Sequence, residues 1–252
     1  MVYNRHDIYV GGSLKKYGEF SELEADFFRG IVRPDMWVVE VGANIGAHTV
    51  ELSRLVGRHG RVYAFEPQRL VFQNLCANLA LNQCQNIYAY QMAAGEKNGI
   101  LVVPPVSYES RNNFGGISLL DRNALGETVP LLTVDSLGLS RCDFLKVDVE
   151  GMECNVLQGA RATIEKYRPA LYLENDRKEH SPELIALVKS LGYRAWWHLP
   201  PLFSPENFAE DTENIFRGVV SINIFCLPEE SNCIDINLRE VMGPEDDWQS
   251  GN

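Results

Sequence analysis

The chain has 252 residues, 45% hydrophobic and 23% charged, with a formal net charge of −11; it has room for one large α/β domain or two small ones. The acidic balance argues against a nucleic-acid partner, which calls for a basic stripe. No run of 18 apolar residues offers a membrane span, and "MVYNRHDIYVGGSLKKYGEF" at the N-terminus lacks an apolar signal-peptide core.

Residues 1–35 read as a helical cap ahead of the core. In "SELEADFFRGIV", Ser21 and Glu24 form a capping-box pattern before Phe27, Phe28, Ile31 and Val32. Then strands and helices alternate. "MWVVEV" is a strand and "IGAHTVELSRLVG" a helix ending at Gly57. "RVYAFEP" is a strand, "QRLVFQNLCANLALN" a helix and "NIYAYQMA" a strand. This β-α-β-α-β order predicts a parallel sheet covered on both faces.

Residues 96–131 interrupt the alternation with Pro, Gly and Asn punctuation and short extended runs, a β-rich insertion. "DFLKVDV" then resumes it as a strand, followed by "ECNVLQGARATIEKY" as a helix and "PALYLEN" as a strand. "SPELIALVKSLG" is a helix with Ser181 as N-cap, Pro182 in the first turn and Gly192 just past the end. "YRAWWHL" and "VVSINIFCLP" are strands joined by a Pro- and Asn-rich loop, 199–218, with no helix between them. They are therefore expected to pair antiparallel. No linker or repeat is visible, so residues 1–252 are expected to form a single domain. The six cysteines, Cys76, Cys84, Cys142, Cys154, Cys226 and Cys233, form no C-x-x-C. Buried free thiols in a reducing cytoplasm are expected.

The turn after the first strand, "EVGANIGAHT", has Gly42 and Gly46 but not the G-x-G-x-x-G of dinucleotide folds. Gly42 lets the backbone bend, and Gly46 lets the helix start lie close to a ligand. Glu40 at the strand end repels a phosphate and suits an ammonium group. Glu66, 24 residues past Gly42, is placed to accept both hydroxyls of a ribose. A ligand with a ribose, a cationic portion and no phosphate matches S-adenosylmethionine. A nicotinamide-dependent oxidoreductase or epimerase is disfavoured further: Y-x-x-x-K is absent, and about 35 residues precede the first strand. A non-catalytic binding protein on the same fold is the other alternative.

Together, "EVGANIGAHT", "AFEP", "DFLKVDVEGMECNVLQGA" and "RPALYLEND" resemble the FkbM family of S-adenosylmethionine-dependent methyltransferases. The resemblance runs from "YGEFSELE" to "VVSINIFCLP". It implies a Rossmann-like, seven-stranded class I methyltransferase sheet, mostly parallel with the last strand antiparallel. It also implies O-methylation of a sugar, glycan, polyketide or similar hydroxyl. On this reading Gly42, Ala43, Asn44, Gly46 and His48, with Glu66, Pro67 and Ala93, line the cofactor. "LKKYGEFSE" matches the family's N-terminal segment, so Tyr17 and Ser21 are expected to cover it.

At the reacting end, Asp148 and Glu150 are two apart at a strand terminus and so are expected to face one cleft. Asp148 is assigned to the cofactor's methionine end and Glu150 to the acceptor hydroxyl as general base; the competing role for Glu150 is a helix cap. Glu174 and Asn175 are expected to orient the acceptor. With Asp148 they also resemble the three-ligand set of metal-dependent catechol-type O-methyltransferases, although no metal is expected. His198 is a second candidate base or a structural histidine. Trp196, Trp197 and Phe203 are an apolar wall or core. "SRNNFGGIS", with Asn113 and Phe114, is expected to close over the acceptor.

Overall fold

The computed structural model describes residues 1–119, 125–231 and 236–249; Cys233 and part of the 96–131 insertion lie outside the described residues. Two helices, α1 (Val10–Tyr17) and α2 (Glu22–Ile31), precede β1 (Trp37–Val41). Then come α3 (Ala47–Val56), β2 (Arg61–Phe65), α4 (Arg69–Leu81), β3 (Ile87–Tyr90), β4 (Ala93–Ala94), β5 (Gly99–Val103) and β6 (Glu127–Leu132). The chain continues through β7 (Phe144–Val147), α5 (Glu153–Gly159), α6 (Arg161–Tyr167), β8 (Ala170–Glu174), α7 (Ser181–Ser190), β9 (Tyr193–His198) and β10 (Asn223–Pro228).

Seven strands form the expected main sheet in the order β3-β2-β1-β7-β8-β10-β9. All run parallel except β10, which is antiparallel to both neighbours. Parallel strands covered on both faces need apolar side chains on both. On one face Val38, Phe144, Tyr172, Trp196 and Phe225 pack against Phe28 and Val32 at α2 and Leu52 and Val56 of α3. On the other, Val39, Leu145, Leu171 and Ile224 pack against Val156, Leu157, Ile164, Leu184 and Val188 of α5, α6 and α7. Among the described residues no helix is long and apolar enough to cross a membrane.

Several local expectations are corrected. "NIYAYQMA" is not one strand. After Tyr90 the chain leaves the main sheet, and β4 joins β6 and β5 in a second, three-stranded sheet. The helix over 153–167 is two helices. The Asp135 carboxylate accepts from Ala162 N and Thr163 N (3.0 and 2.8 Å) and so starts α6 anew. Just before the break, a Cβ on Gly159 would lie 1.9 Å from Gly95 O. The capping box at α2 does not form. Ser21 is left-handed (φ 46°), and its hydroxyl donates instead to the Glu24 carboxylate at 3.0 Å. At α7 the N-cap is His180, and Ser181 is the first helical residue. The described cysteines are free, but Cys76 is exposed and Cys84 and Cys154 are half-buried.

The sheet register sets the functional layer. Residues two apart on a strand share a face. Toward the carboxyl ends of the parallel strands, the apolar row on the α2 and α3 face therefore gives way to polar side chains. Val38 is followed by Glu40, Phe144 by Lys146, and Tyr172 by Glu174. In antiparallel β10, Asn223 precedes Phe225. Glu40 pairs in register with Lys146, and Glu174 with Asn223.

Candidate active site

The polar row opens into a cleft of about 320 Å³ at the carboxyl edge of the sheet. Glu24, Glu40, Gly42, Ala43, Asn44, His48, Glu66, Asn113, Lys146, Asp148, Glu150, Glu174, Asp176 and Asn223 are among its walls. The β1 turn shapes one side. Gly42 has φ +87°, and a Cβ there would lie 1.8 Å from Asp148 O, so only glycine lets the β1 turn touch the β7 turn. Glu66 ties this turn to the one after β2: Asn44 N donates to Oε2 at 3.1 Å and Gln68 N to Oε1 at 2.8 Å. Gly46 does not line the cleft. A Cβ there would meet Leu75 at 2.7 Å, so this glycine serves the packing of α3 on α4.

The floor holds a lysine and three acids. Lys146 is 1% exposed, and its Nζ lies 3.0 Å from Asp148 Oδ2. Burial opposes its charge, but Asp148, Glu40 and Glu24 outweigh that and raise its pKa. Glu40 is 1% exposed; the Thr49 hydroxyl lies beside its carboxyl, but Oε2 makes no hydrogen bond of ordinary geometry. Burial pushes the carboxyls of Glu24, Glu40 and Glu66 up to about 7. His48 Nε2 lies 3.7 Å from Glu24 Oε1. Burial, reinforced by Lys146, drives its pKa down to about 3, so the imidazole is neutral.

Asp148 and Glu150 do share the cleft, but not by strand alternation. β7 ends at Val147, and Glu150 (φ 56°) and Gly151 (φ 100°) make a left-handed turn beyond it. The Glu153 carboxylate ties this turn by accepting from Val149 N and Gly151 N at 3.2 and 3.1 Å. Glu150 therefore does not cap α5, whose N-cap is Met152. Its carboxylate pairs with Arg177, and its backbone N donates to Glu174 Oε2 at 3.3 Å. Burial and the nearby Asp148 push Glu150 up to about 7 against the pull of Arg177. Glu174 is raised as well, by burial, Asp148 and Glu150.

Other expected wall residues are placed elsewhere. Asn175 follows Glu174 by one position and so turns to the opposite side, into a separate cavity of about 190 Å³ with Glu153, Arg177 and Glu183. The set Asp148, Glu174 and Asn175 therefore does not converge. Trp197 is likewise on the far face, 2% exposed and packed on Trp248. Trp196 is core on the near face, and Phe203 packs on Tyr17. His198 is off the cleft. It is stacked on Phe27 at 4.3 Å and bonded to Tyr172 Oη at 2.8 Å. Burial lowers its pKa to about 4; its place off the cleft and its bond to Tyr172 fit the structural role.

Phe114 is 2% exposed in a small core with Val10, Ile45 and Val71, while Gly115, Gly116 and Asn113 face the cleft. Pro67 and Ala93 do not line it, and Ala93 packs with Val103 and Val129 in the second sheet. Tyr17 is buried, with its hydroxyl donating to Glu213 O at 2.8 Å. Ser21 does not line the cleft; its hydroxyl bonds to Glu24, which does. From that N-terminal segment Tyr9, Val10, Phe20 and Glu24 are the residues that reach the cleft.

The sequence does not mark Lys146, Asp176 or Asn223 for the site, and it offers Glu24 only as a helix-capping residue. A lysine inside the buried run "FLKV" was the available signal, because a buried ammonium requires carboxylate partners.

Residues 40–195 match the family described as the Methyltransferase FkbM domain. Methyltransferase sdnD of Sordaria araneosa is 30% identical over 210 residues, covering 67% of this chain and 79% of that protein. Methyltransferase 1 of Beauveria bassiana is 29% identical over 147 residues, covering 50% of this chain and 58% of that protein. Among solved structures, a methyltransferase FkbM from Methylobacillus flagellatus has a TM-score of 0.52 at 18% identity, over 81% of this chain and 50% of that one. The precorrin-6y C5,15-methyltransferase of Geobacter metallireducens has a TM-score of 0.50 at 10% identity, over 82% and 87%. At these identities the two structures share the fold alone.

Proposed function

Since the chain belongs to the FkbM methyltransferase family, we propose that its cleft holds S-adenosylmethionine and directs methyl transfer to a hydroxyl of a sugar, glycan or related metabolite. The observation that carries this reading is Glu40, buried in the cleft with one carboxylate oxygen that makes no hydrogen bond of ordinary geometry. A buried carboxylate left in that state calls for a cationic donor. The residues around it fit the rest of the cofactor. Glu40 accepts from the α-ammonium. Glu66, held by two backbone N–H groups, keeps acceptor capacity for ribose hydroxyls. Asp148, fixed by Lys146, faces the methionine end. The bound cofactor supplies an electrophilic methyl on a sulfonium.

Glu150 takes the proton of the acceptor hydroxyl. Its carboxyl, raised to about 7, matches a general base working near neutral pH. Glu174 and Asp176 stand beside it. These three carboxylates have oxygens within 4.8 Å of one another, but Arg177 already neutralises Glu150, so no metal is assigned. Turnover is expected to survive chelation by EDTA. Loss of activity with rescue by Mg²⁺ alone would reverse that assignment.

The direct test of the cofactor reading is Glu40→Ala with affinity measured by calorimetry. Loss of one charge-assisted contact, worth about 1.5–3 kcal/mol, predicts S-adenosylmethionine binding weaker by about ten- to hundredfold. Unchanged affinity in a folded variant would mean that Glu40 meets no part of the cofactor.

A further inference from the structure

Glu174 and Asn223 sit directly opposite each other on β8 and β10. Side chains of opposed residues in an antiparallel pair project from the same face at close range, and both of these line the cleft. Asn223 is 4% exposed; its amide lies beside the Tyr172 hydroxyl, and its Nδ2 makes no hydrogen bond of ordinary geometry, so one N–H is left to donate into the cleft. Glu174 Oε2 accepts the Glu150 backbone N at 3.3 Å, which fixes this pair next to the residue proposed as base. A carboxylate accepts hydrogen bonds and an amide N–H donates one. A hydroxyl group does both, so it is the group that satisfies the two together.

We propose that Glu174 and Asn223 clamp a second hydroxyl of the acceptor, beside the one that Glu150 deprotonates, so that the enzyme selects vicinal diols over isolated alcohols. Glu174 accepts the O–H, and the Asn223 amide donates to the same oxygen. Neither residue takes part in breaking or forming the methyl bond. Their effect is on which acceptor binds and how it is oriented. This inference rests on the proposed methyltransferase reading, because it takes the acceptor to be a hydroxyl compound.

The test is binding of cis-cyclohexane-1,2-diol and of cyclohexanol to the full chain saturated with S-adenosylhomocysteine, followed by NMR titration. The diol is expected to bind roughly tenfold more tightly, as two added hydrogen bonds of ordinary strength predict. In Asn223→Leu the two probes should bind within about twofold of each other, with S-adenosylhomocysteine affinity within a few-fold of the wild type. Glu174→Met, which keeps the length of the side chain and removes both acceptor oxygens, serves as the second variant should Asn223→Leu fail to fold, and it should also erase most of the preference. The proposal is overturned by equal or undetectable binding of the two probes to the wild type, or by a diol preference that survives both substitutions. Loss of S-adenosylhomocysteine affinity in Asn223→Leu would overturn it too, by assigning Asn223 to the cofactor. A wild-type protein that binds no S-adenosylhomocysteine would instead sink the methyltransferase reading itself.

Discussion

Glu150→Gln is expected to lower kcat by roughly 10²-fold or more while cofactor affinity stays within a few-fold. The substitution keeps the shape and the hydrogen bond to Arg177 but removes the basic oxygen. The left-handed turn at Glu150 and Gly151 is held by the Glu153 carboxylate, so the loop should survive the change. A carboxyl raised to about 7 predicts a rate that climbs with pH through neutrality as the base ionises. Glu150→Gln should flatten that limb. A variant that turns over at near wild-type rate would move the base elsewhere. His198 would not be the replacement, because it is stacked beneath Phe27 and bonded to Tyr172. Glu24, which does face the cleft, would be next.

Lys146→Met should destabilise the ligand-free protein strongly. The lysine is the cation among Asp148, Glu40 and Glu24. Removing one partner of a buried charge group leaves the others uncompensated, at a cost of about 3–5 kcal/mol. For a chain of this size that corresponds to a fall in Tm of roughly 6–20 °C. The deficit should depend on pH. Glu24 and Glu40 already have native pKa values near 7, above their ordinary 4.5. A native state that binds more protons than the unfolded one loses stability as pH rises through that window. Without the ammonium the carboxyls rise further, so the loss should be smaller at pH 5, where they are protonated, than at pH 8. Thermal denaturation at the two pH values checks this. A Tm within about 2 °C of wild type at pH 8 would mean that the cluster does not depend on Lys146.

The strands were readable because buried parallel strands are short apolar runs, and "WVVEV", "RVYAF" and "FLKV" have that form. The turn at Gly42 and the acids Glu40 and Glu66 followed from chemistry within one β-α-β unit. What lay beyond the sequence was set by partners far along the chain. Asp135 divides α5 from α6, and β6 draws Ala93 and Ala94 out of the main sheet. Face was the other hidden variable. Sequence alone puts Asn175 and Trp197 at the cleft, yet each is one position away from a residue on the near face, and one step in a strand reverses the side chain. The same alternation brings in Lys146 and Asn223, whose exposure to the cleft follows only from the register of β1, β7, β8 and β10. In the N-terminal segment the expected Tyr17 and Ser21 do not line the cleft; Phe20, in the loop between α1 and α2, and Glu24 of α2 do.

Calorimetry of the ligand-free protein against S-adenosylmethionine and, separately, against NAD tests most directly what this cleft was built to hold. Saturable one-to-one binding of S-adenosylmethionine is expected, with a dissociation constant below roughly 1 mM, the upper end of ordinary enzyme–substrate ranges, and no heat of binding with NAD. Binding of NAD alone, or of neither ligand, would contradict it.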